Sequence, residues 1–302
     1  MSWFHERLVE VLTHVPRPVM RRLSARYIAG ERLDEALAKL EELARRGHPG
    51  ILDILGEGVA TAEQARRVLG EYEEAARAVA ERRLDAYVSV KPTHFAMGVS
   101  EDLAHELYAA LARRCRELGL FLRVEMEDHP TTDGTLRIFA RLRAEFDNVG
   151  IVLQSRLFRT PRDIEALPDV PVHVRMVKGI YLEPPEIAHV DPDPIRDAYL
   201  ACCERLFARG ASISFATHDE GLAERLLELV RRMGVAPERY EFQVLLGVRE
   251  PLWRTWHAAG HRVRVYVPYG PDWLAYSLRR LKHNPQILGH VVRATLRLPS
   301  RD

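Results

Sequence analysis

The sequence predicts an α/β protein whose barrel is built from eight strand–helix units, (β/α)8, entered through an N-terminal helical arm. Three observations predict it. Eight short apolar runs of five or six residues follow one another between residues 50 and 267. Amphipathic stretches with apolar residues three to four apart lie between them. Run after run ends in, or is followed by, a charged, amide or hydroxyl residue, as expected where strand ends line a ligand-binding mouth.

The elements follow in order. Residues 1–47 read as a helical arm. Leu33, Ala36, Leu37, Leu40, Leu43 and Ala44 recur at helical spacing, and Gly47 stops the run. The barrel is expected over 48–302. Its strands are expected at Gly50–Leu55, Tyr87–Lys91, Phe121–Met126, Gly150–Gln154, Val172–Val177, Ser212–Thr217, Tyr240–Val244 and Val263–Val267. Helical patterns lie near 60–83, 101–118, 132–147, 161–167, 193–209, 219–233, 249–259 and 271–282; the fourth is short and carries a proline. A doubly wound open sheet is the competing architecture, but no GxGxxG follows a strand.

In a barrel the ligand site lies at the carboxyl ends of the strands. The polar residues there are Glu57, Lys91, Glu125, Glu127, Asp128, Gln154, Arg175, Lys178, Thr217, His218, Asp219, Gln243 and Tyr266. Each alone reads as a solvated loop residue about as readily as a ligand contact. Their recurrence around one ring favours a lined mouth.

Composition narrows the function. The chain has 302 residues, 47% hydrophobic and 29% charged, enough to bury a full core. Its net charge of +1 argues against a general nucleic-acid binder. Three cysteines do not make a disulfide framework, so a reducing, cytoplasmic setting is expected. The first residues carry charges through their apolar stretch, unlike a signal peptide, and no apolar run is long enough to span a membrane. Lysine occurs only at 39, 91, 178 and 282, with arginine as every other strong base. A lysine kept in so arginine-rich a chain marks a place that arginine does not fill, and Lys91 and Lys178 both fall at the mouth.

No HExxH, CxxC, nucleophile elbow or phosphate-loop motif is present, and no metal is expected. The ring suits a large anionic cofactor instead. Lys178-Gly179 lets backbone N–H groups approach a phosphate. Thr217-His218 offers a hydroxyl and a ring N–H. Gln154 can donate and accept at an amide-like edge. Arg175 can hold a fixed positive charge beside a ring that gains electron density. These properties are consistent with a flavin without being specific to one. Arg279 and Arg280 lie two turns beyond Trp273 on the last helical pattern. They read either as a bidentate carboxylate clamp or as two solvated arginines.

The ordered motifs LDILGE (52–57), SVK (89–91), EMED (125–128), GIVLQS (150–155), VRMVKGIYLEP (174–184), FATHD (215–219), YEFQVLLGVR (240–249), VYVPYGPDW (265–273) and RRL (279–281) cover most of the chain. The chain resembles the FAD-dependent proline dehydrogenase family in its short bacterial monofunctional form. The resemblance implies a distorted (β/α)8, TIM-like barrel with FAD at its mouth. It implies oxidation of L-proline to Δ1-pyrroline-5-carboxylate by hydride transfer to flavin N5. The implied cofactor contacts are Met126, Gln154, Arg175, Val177, Lys178, Gly179, Ile180, Thr217 and His218. The implied substrate pocket is Lys91, Leu245, Tyr266, Arg279 and Arg280, with Tyr181 close by and Glu57 near the arginine pair. Arg175 and Glu125 are the residues assigned to catalysis.

The resemblance also implies a quinone as electron acceptor, with at most peripheral membrane contact, and a pyrroline-5-carboxylate dehydrogenase downstream. Four positions depart from the family pattern. Glu125 replaces an aspartate, which is expected to push the carboxylate one methylene further into the site. His283 replaces a glutamate, Ile180 an alanine and Leu246 a tyrosine. The departures leave two other readings open: a paralogue that oxidises a modified proline or related cyclic amino acid, and an FAD-binding barrel that has lost turnover.

Overall fold

The structure is a computed structural model that describes residues 20–21, 24–274 and 276–277. Helix α1 (Leu33–Arg45) precedes β1 (Gly50–Ile54), followed by α2 (Ala62–Glu81), β2 (Ala86–Val90), α3 (Glu101–Glu117), β3 (Leu122–Val124), α4 (His129–Arg143) and β4 (Val149–Gln154). Then come α5 (Thr160–Glu165), β5 (His173–Val177), α6 (Pro192–Ala208), β6 (Ser212–Ala216), α7 (Glu220–Met233), β7 (Tyr240–Leu245), α8 (Glu250–Ala258) and β8 (Val263–Tyr269). The strands pair in chain order, all parallel, and β8 returns to β1 with Ile51 opposite Tyr266, so the barrel is closed. The open-sheet alternative is thereby excluded.

Local chemistry sets the helix ends. Thr61, Ser100 and Asp219 are N-caps whose side-chain oxygens accept from the N–H of Gln64, Leu103 and Leu222, each at 3.2 Å. Proline stands in the first turn of α4, α5, α6 and α8, where its missing N–H costs nothing. Gly234 ends α7 in the left-handed region at φ 63°.

The strands alternate in a way that divides the molecule into two interiors. Leu52, Ile54, Val88, Val90, Leu122, Val124, Val174, Met176, Phe242, Val244, Val263, Val265 and Val267 belong to one apolar core together with Leu107, Leu111, Phe139, Leu206 and Leu226 of the helices. That core is the annulus between barrel and helices. Each such side chain, fully buried, contributes about 1.5–3 kcal/mol of transfer free energy. The intervening residues, Tyr87, Ser89, Arg123, Glu125, Arg175, Glu241, Gln243, Arg264 and Tyr266, are polar or aromatic and meet across the lumen. Arg175 of β5, for example, bonds Gln243 of β7 and reaches Tyr87 of β2. A barrel filled with ionic and hydroxyl groups is less usual than one packed with branched aliphatics.

Two local differences from the sequence reading have physical causes. The third strand is only Leu122–Val124, because the chain leaves the ladder after the Glu125 N–H bonds Val90 O at 2.9 Å. A single 3-10 turn at Pro92–Phe95, closed by Ala96 at φ 58°, follows β2; four residues are too few to carry a helical period. Of the last expected helix, 271–282, only part lies within the described residues. Arg279, Arg280 and His283 lie outside them, as do residues 1–19 of the expected arm.

Candidate active site

Arg175 occupies the centre of the lumen. It is 4% exposed. Its Nε donates to Gln243 Oε1 at 2.6 Å, its Nη1 donates to Glu125, and its Nη2 lies 3.5 Å from the Tyr87 hydroxyl. The guanidinium sits 5.3 Å from the centre of the Tyr266 ring. Burial disfavours its charge, but Glu125 and the two tyrosines outweigh that, so it stays ionised well above neutrality. The carboxylate of Glu125 accepts from both Ser89 and Arg175. Ser89 lies opposite Arg123, two residues below Glu125 on the neighbouring strand. The extra methylene of Glu125 therefore reaches toward the lumen, and the side chain is 12% exposed.

Above this layer lie Asp53 and Lys91. Asp53 sits in β1 with 1% exposure. The Tyr72 hydroxyl donates to Oδ1 at 3.4 Å, and Oδ2 lies 4.0 Å from Lys91 Nζ. Lys91 donates to Gly56 O at 3.3 Å. Burial pushes the Asp53 carboxyl up to about 6, against the pull of Lys91. Burial also disfavours the Lys91 ammonium, but Asp53, Glu57, Glu127 and Glu125 together raise it, so it stays charged.

The raised Asp53 has a stability consequence. A carboxyl with a higher pKa folded than unfolded favours the native state below its unfolded value, and that contribution disappears as pH rises through the folded value. Its unfolded value is near 3.8 and its folded value about 6. The unfolding free energy of wild type, minus that of Asp53→Asn, is therefore expected to fall by roughly 2 kcal/mol between pH 4 and 7. Denaturant unfolding of both proteins across that range checks it; a flat difference would show that Asp53 ionises normally.

The other side of the mouth is built from β4, β5 and β6. Gln154 is buried, and its Nε2 donates to Glu127 O at 2.9 Å. Glu127 accepts from Thr93 N and Oγ1, both at 2.8 Å, which ties the turn after β2 to that after β3. Met126 and Thr217 are buried, Val177 is partly buried, and Ile180 is exposed. His218 Nε2 accepts from the Leu245 N–H at 3.0 Å, which assigns the ring proton to Nδ1. Leu245 is thus held at the end of β7 beside β6.

Lys178 and Arg196 share one carboxylate, Asp219, which carries two cations. Burial alone would raise Asp219, yet these two bonds hold it well below the usual carboxylate range. Arg196 also pairs with Asp193 at 2.6 Å, so the two cations of the cluster are matched by two carboxylates. Gly179 has φ 102°, and a Cβ there would lie 2.6 Å from Arg156 Cδ and 2.9 Å from Gln154 Oε1. A side chain would fill the space between Gln154 and Arg156. The Lys178 ammonium, the His218 ring, the Gln154 amide and a bare glycine at one rim form a donor set that fits a phosphate-bearing flavin.

Of the site residues expected from sequence, Glu125 and Tyr266 meet Arg175 in the lumen, and Lys91 stands beside Asp53. Met126, Gln154, Val177, Lys178, Gly179, Ile180, Thr217 and His218 lie along β3 to β6, and Leu245 ends β7. Arg279 and Arg280 lie outside the described residues. Sequence reasoning gave no role to Asp53, Tyr87, Ser89, Glu241 or Arg264. A signal was present: in YVSVK, LRVEM, HVRMV, EFQVL and VRVYV every second residue, apart from Val177 and Leu245 at strand ends, is polar or aromatic, and that parity marks the lumen face. It also missed the loop tie in which buried Glu183 accepts from His129 N at 3.0 Å and pairs with its Nδ1 at 2.6 Å.

Known proteins match this chain closely. It is 35% identical to the proline dehydrogenase of Deinococcus radiodurans over 287 residues, covering 93% of this chain and 92% of that one. It is 30% identical to proline dehydrogenase 1 of Bacillus subtilis over 289 residues, covering 95% and 96%. The crystal structure of proline utilization A from Bdellovibrio bacteriovorus, inactivated by N-propargylglycine, superposes with a TM-score of 0.80 at 25% identity. That match covers 86% of this chain but 32% of the other, so this chain spans about a third of that protein. The proline dehydrogenase family model matches residues 36–293, which contain every strand of the barrel. The barrel, its polar mouth and these matches agree, and the chain belongs to the proline dehydrogenase family.

Proposed function

We propose that the chain is an FAD-dependent, monofunctional enzyme that oxidises L-proline to Δ1-pyrroline-5-carboxylate at the carboxyl-end mouth of its barrel. One observation carries the reading. Lys91, Glu125 and Arg175 converge beneath a rim that carries Lys178 and Gly179, within a chain that matches the family from 36 to 293. FAD, when bound, supplies the acceptor for the hydride of the substrate. Gln154, Lys178, Gly179, Thr217 and His218 would hold it by polar contacts, with Met126, Val177 and Ile180 against its rings.

The chain's own residues do the rest. Arg279 and Arg280 are assigned the substrate carboxylate, as two guanidinium forks suited to bidentate pairing. Lys91, Leu245 and Tyr266 are assigned the walls around the ring. Arg175 keeps a fixed charge whose direction is locked by Gln243, Glu125 and Tyr87, so no reorganisation is needed when charge develops nearby. The amine must shed a proton before its lone pair can assist oxidation, and a desolvated pocket favours the neutral amine. A quinone is the proposed electron acceptor and a pyrroline-5-carboxylate dehydrogenase the proposed consumer of the product. The chain also matches the bifunctional protein PutA of Escherichia coli, at 26% identity over 23% of its length. The division into a helical arm, 1–47, and a catalytic barrel, 48–302, belongs to this reading. Among the described residues no helix is long and apolar enough to cross a membrane.

The test is anaerobic addition of L-proline to the purified flavoprotein. The visible flavin absorbance is expected to bleach, with an imine product trapped by o-aminobenzaldehyde. Bleaching only by hydroxylated or N-substituted prolines would replace the substrate. No bleaching by any cyclic amino acid would leave a flavin-binding barrel without turnover.

A further inference from the structure

Asp53 is buried at the mouth, with Tyr72 and Tyr266 as hydroxyl donors to its carboxyl and one oxygen left without a hydrogen bond among the described residues. Its Oδ2 is a buried atom with no hydrogen-bond donor among the described residues. Buried carboxylate oxygens are normally paired, because an unpaired one forfeits its hydration without return. The nearest cation, Lys91 Nζ, stands 4.0 Å away, short of a hydrogen bond but within one rotation of the lysine's terminal bonds.

The surroundings decide what this pair can do. From α2 the Tyr72 hydroxyl faces Oδ1, and from β8 Tyr266 and Tyr269 face the same region; burial pushes all three phenols up, so they remain neutral. From β3 and β5 come Glu125 and Arg175, whose charges oppose each other. Glu57 and Glu127 bear on Lys91 from its outer side. His94 packs edge-on against Tyr72, and burial lowers it to about 4, so it is uncharged at neutral pH. Lys91 therefore stays an ammonium. It can receive a proton only by passing one on, and Asp53 is the base within its reach.

We propose that Asp53, acting through Lys91, receives the proton that the substrate ammonium sheds before its oxidation. The proposal rests on the reading that a cyclic secondary amine is oxidised beside Lys91. One N–H bond of Lys91 breaks and its proton forms an O–H bond at Asp53 Oδ2, which frees the lone pair of Nζ. One N–H bond of the substrate ammonium breaks with it and that proton bonds to Lys91 Nζ. The substrate becomes the neutral amine, Asp53 becomes the neutral acid, and Lys91 keeps its charge. No electrons move in this step, and the two-electron oxidation then falls on a neutral amine. Asp53 touches Lys91 and not the reacting carbon, so it is a positioning residue. Its elevated pKa suits the part, since the group is ionised just above pH 6 and protonated without a large penalty.

The experiment uses the flavin-loaded enzyme, wild type and Asp53→Asn, with reduction by saturating L-proline followed by rapid mixing from about pH 5 to 9. The wild-type rate is expected to rise about tenfold per pH unit up to a bend near 6 and then level. Asp53→Asn is expected to lose that bend and to fall at least about tenfold on the plateau. Asp53→Glu is expected to restore a bend. Infrared spectra without substrate supply the second readout. A protonated-carboxyl band should vanish from wild type between about pH 5 and 7 and be absent from Asp53→Asn. A merely structural Asp53 would lower the rate at every pH and leave the bend in place, and that result overturns the proposal. So does a band that never titrates. Wild-type flavin that L-proline cannot reduce, with the band still titrating near pH 6, would remove the substrate reading and this proposal with it.

Discussion

Arg175→Ala is expected to slow flavin reduction by L-proline by about 10²–10³-fold, the usual loss for removing a preorganised charge next to a developing one. The guanidinium is buried and tied to β2, β3 and β7 at once, so its position does not depend on substrate. Its removal also leaves Glu125 with Ser89 but without a cation, and one-sided loss of a buried ion pair costs roughly 3–5 kcal/mol. The variant should therefore melt lower as well as react more slowly. Arg175→Lys separates the two effects. It keeps a charge but lacks the fork that spans Gln243 and Glu125, so it should recover stability better than rate. Stopped-flow reduction and thermal unfolding of both variants give the comparison. An Arg175→Ala enzyme reduced as fast as wild type would sink the role.

The largest purely structural effect is expected from Arg264→Ala, at the opposite end of the lumen. Arg264 Nε lies 3.0 and 3.1 Å from the two Glu241 oxygens, and its Nη1 donates to Gly50 O at 3.0 Å. Burial would raise the Glu241 carboxyl, yet Arg264, Gln243 and Arg262 hold it below its ordinary value. Losing Arg264 should cost roughly 3–5 kcal/mol near pH 7. A depressed carboxyl stabilises the fold above its unfolded value and loses that contribution as pH falls, so the deficit should shrink in acid. Urea unfolding at pH 7 and at about pH 3.5, below the ordinary carboxylate value, checks both size and direction. The double variant Arg264→Met/Glu241→Leu should recover at least half, because it removes both charges instead of stranding one. A single variant within about 0.5 kcal/mol of wild type would mean that Arg262 alone compensates Glu241.

How much of this was legible beforehand depends on the range of the interaction. The eight strands lay where apolar runs of five or six residues predicted them, since a period of two or a short continuous run is a local property. Helix starts were equally local, with Thr61, Ser100 and Asp219 as caps. Lys91, Gln154 and Thr217 stood out because each is the polar last residue of its run. Asp53 did not, because it lies in the middle of one, in LDIL, where it reads as an interruption. Glu125 was legible as a mouth residue, but its direction was not. Its carboxylate turns to Ser89 and Arg175, partners that only the closed barrel brings together.

The sequence by itself determined the repeating strand–helix rhythm, the parallel barrel that such a rhythm demands, the mouth as the place for chemistry and the family to which the chain belongs. Those follow from patterns within about twenty residues of chain. Tertiary structure alone decided which charges meet. Arg175 and Glu125 are 50 residues apart, Arg175 and Gln243 68, and Arg264 and Gly50 214. Closure of β8 on β1 brings such groups within 3 Å or so of one another. It also sets burial, and burial turns Asp53 from an ordinary carboxylate into one that titrates near 6. Desolvation and Coulomb energy depend on three-dimensional surroundings, and no local pattern in a linear chain encodes them.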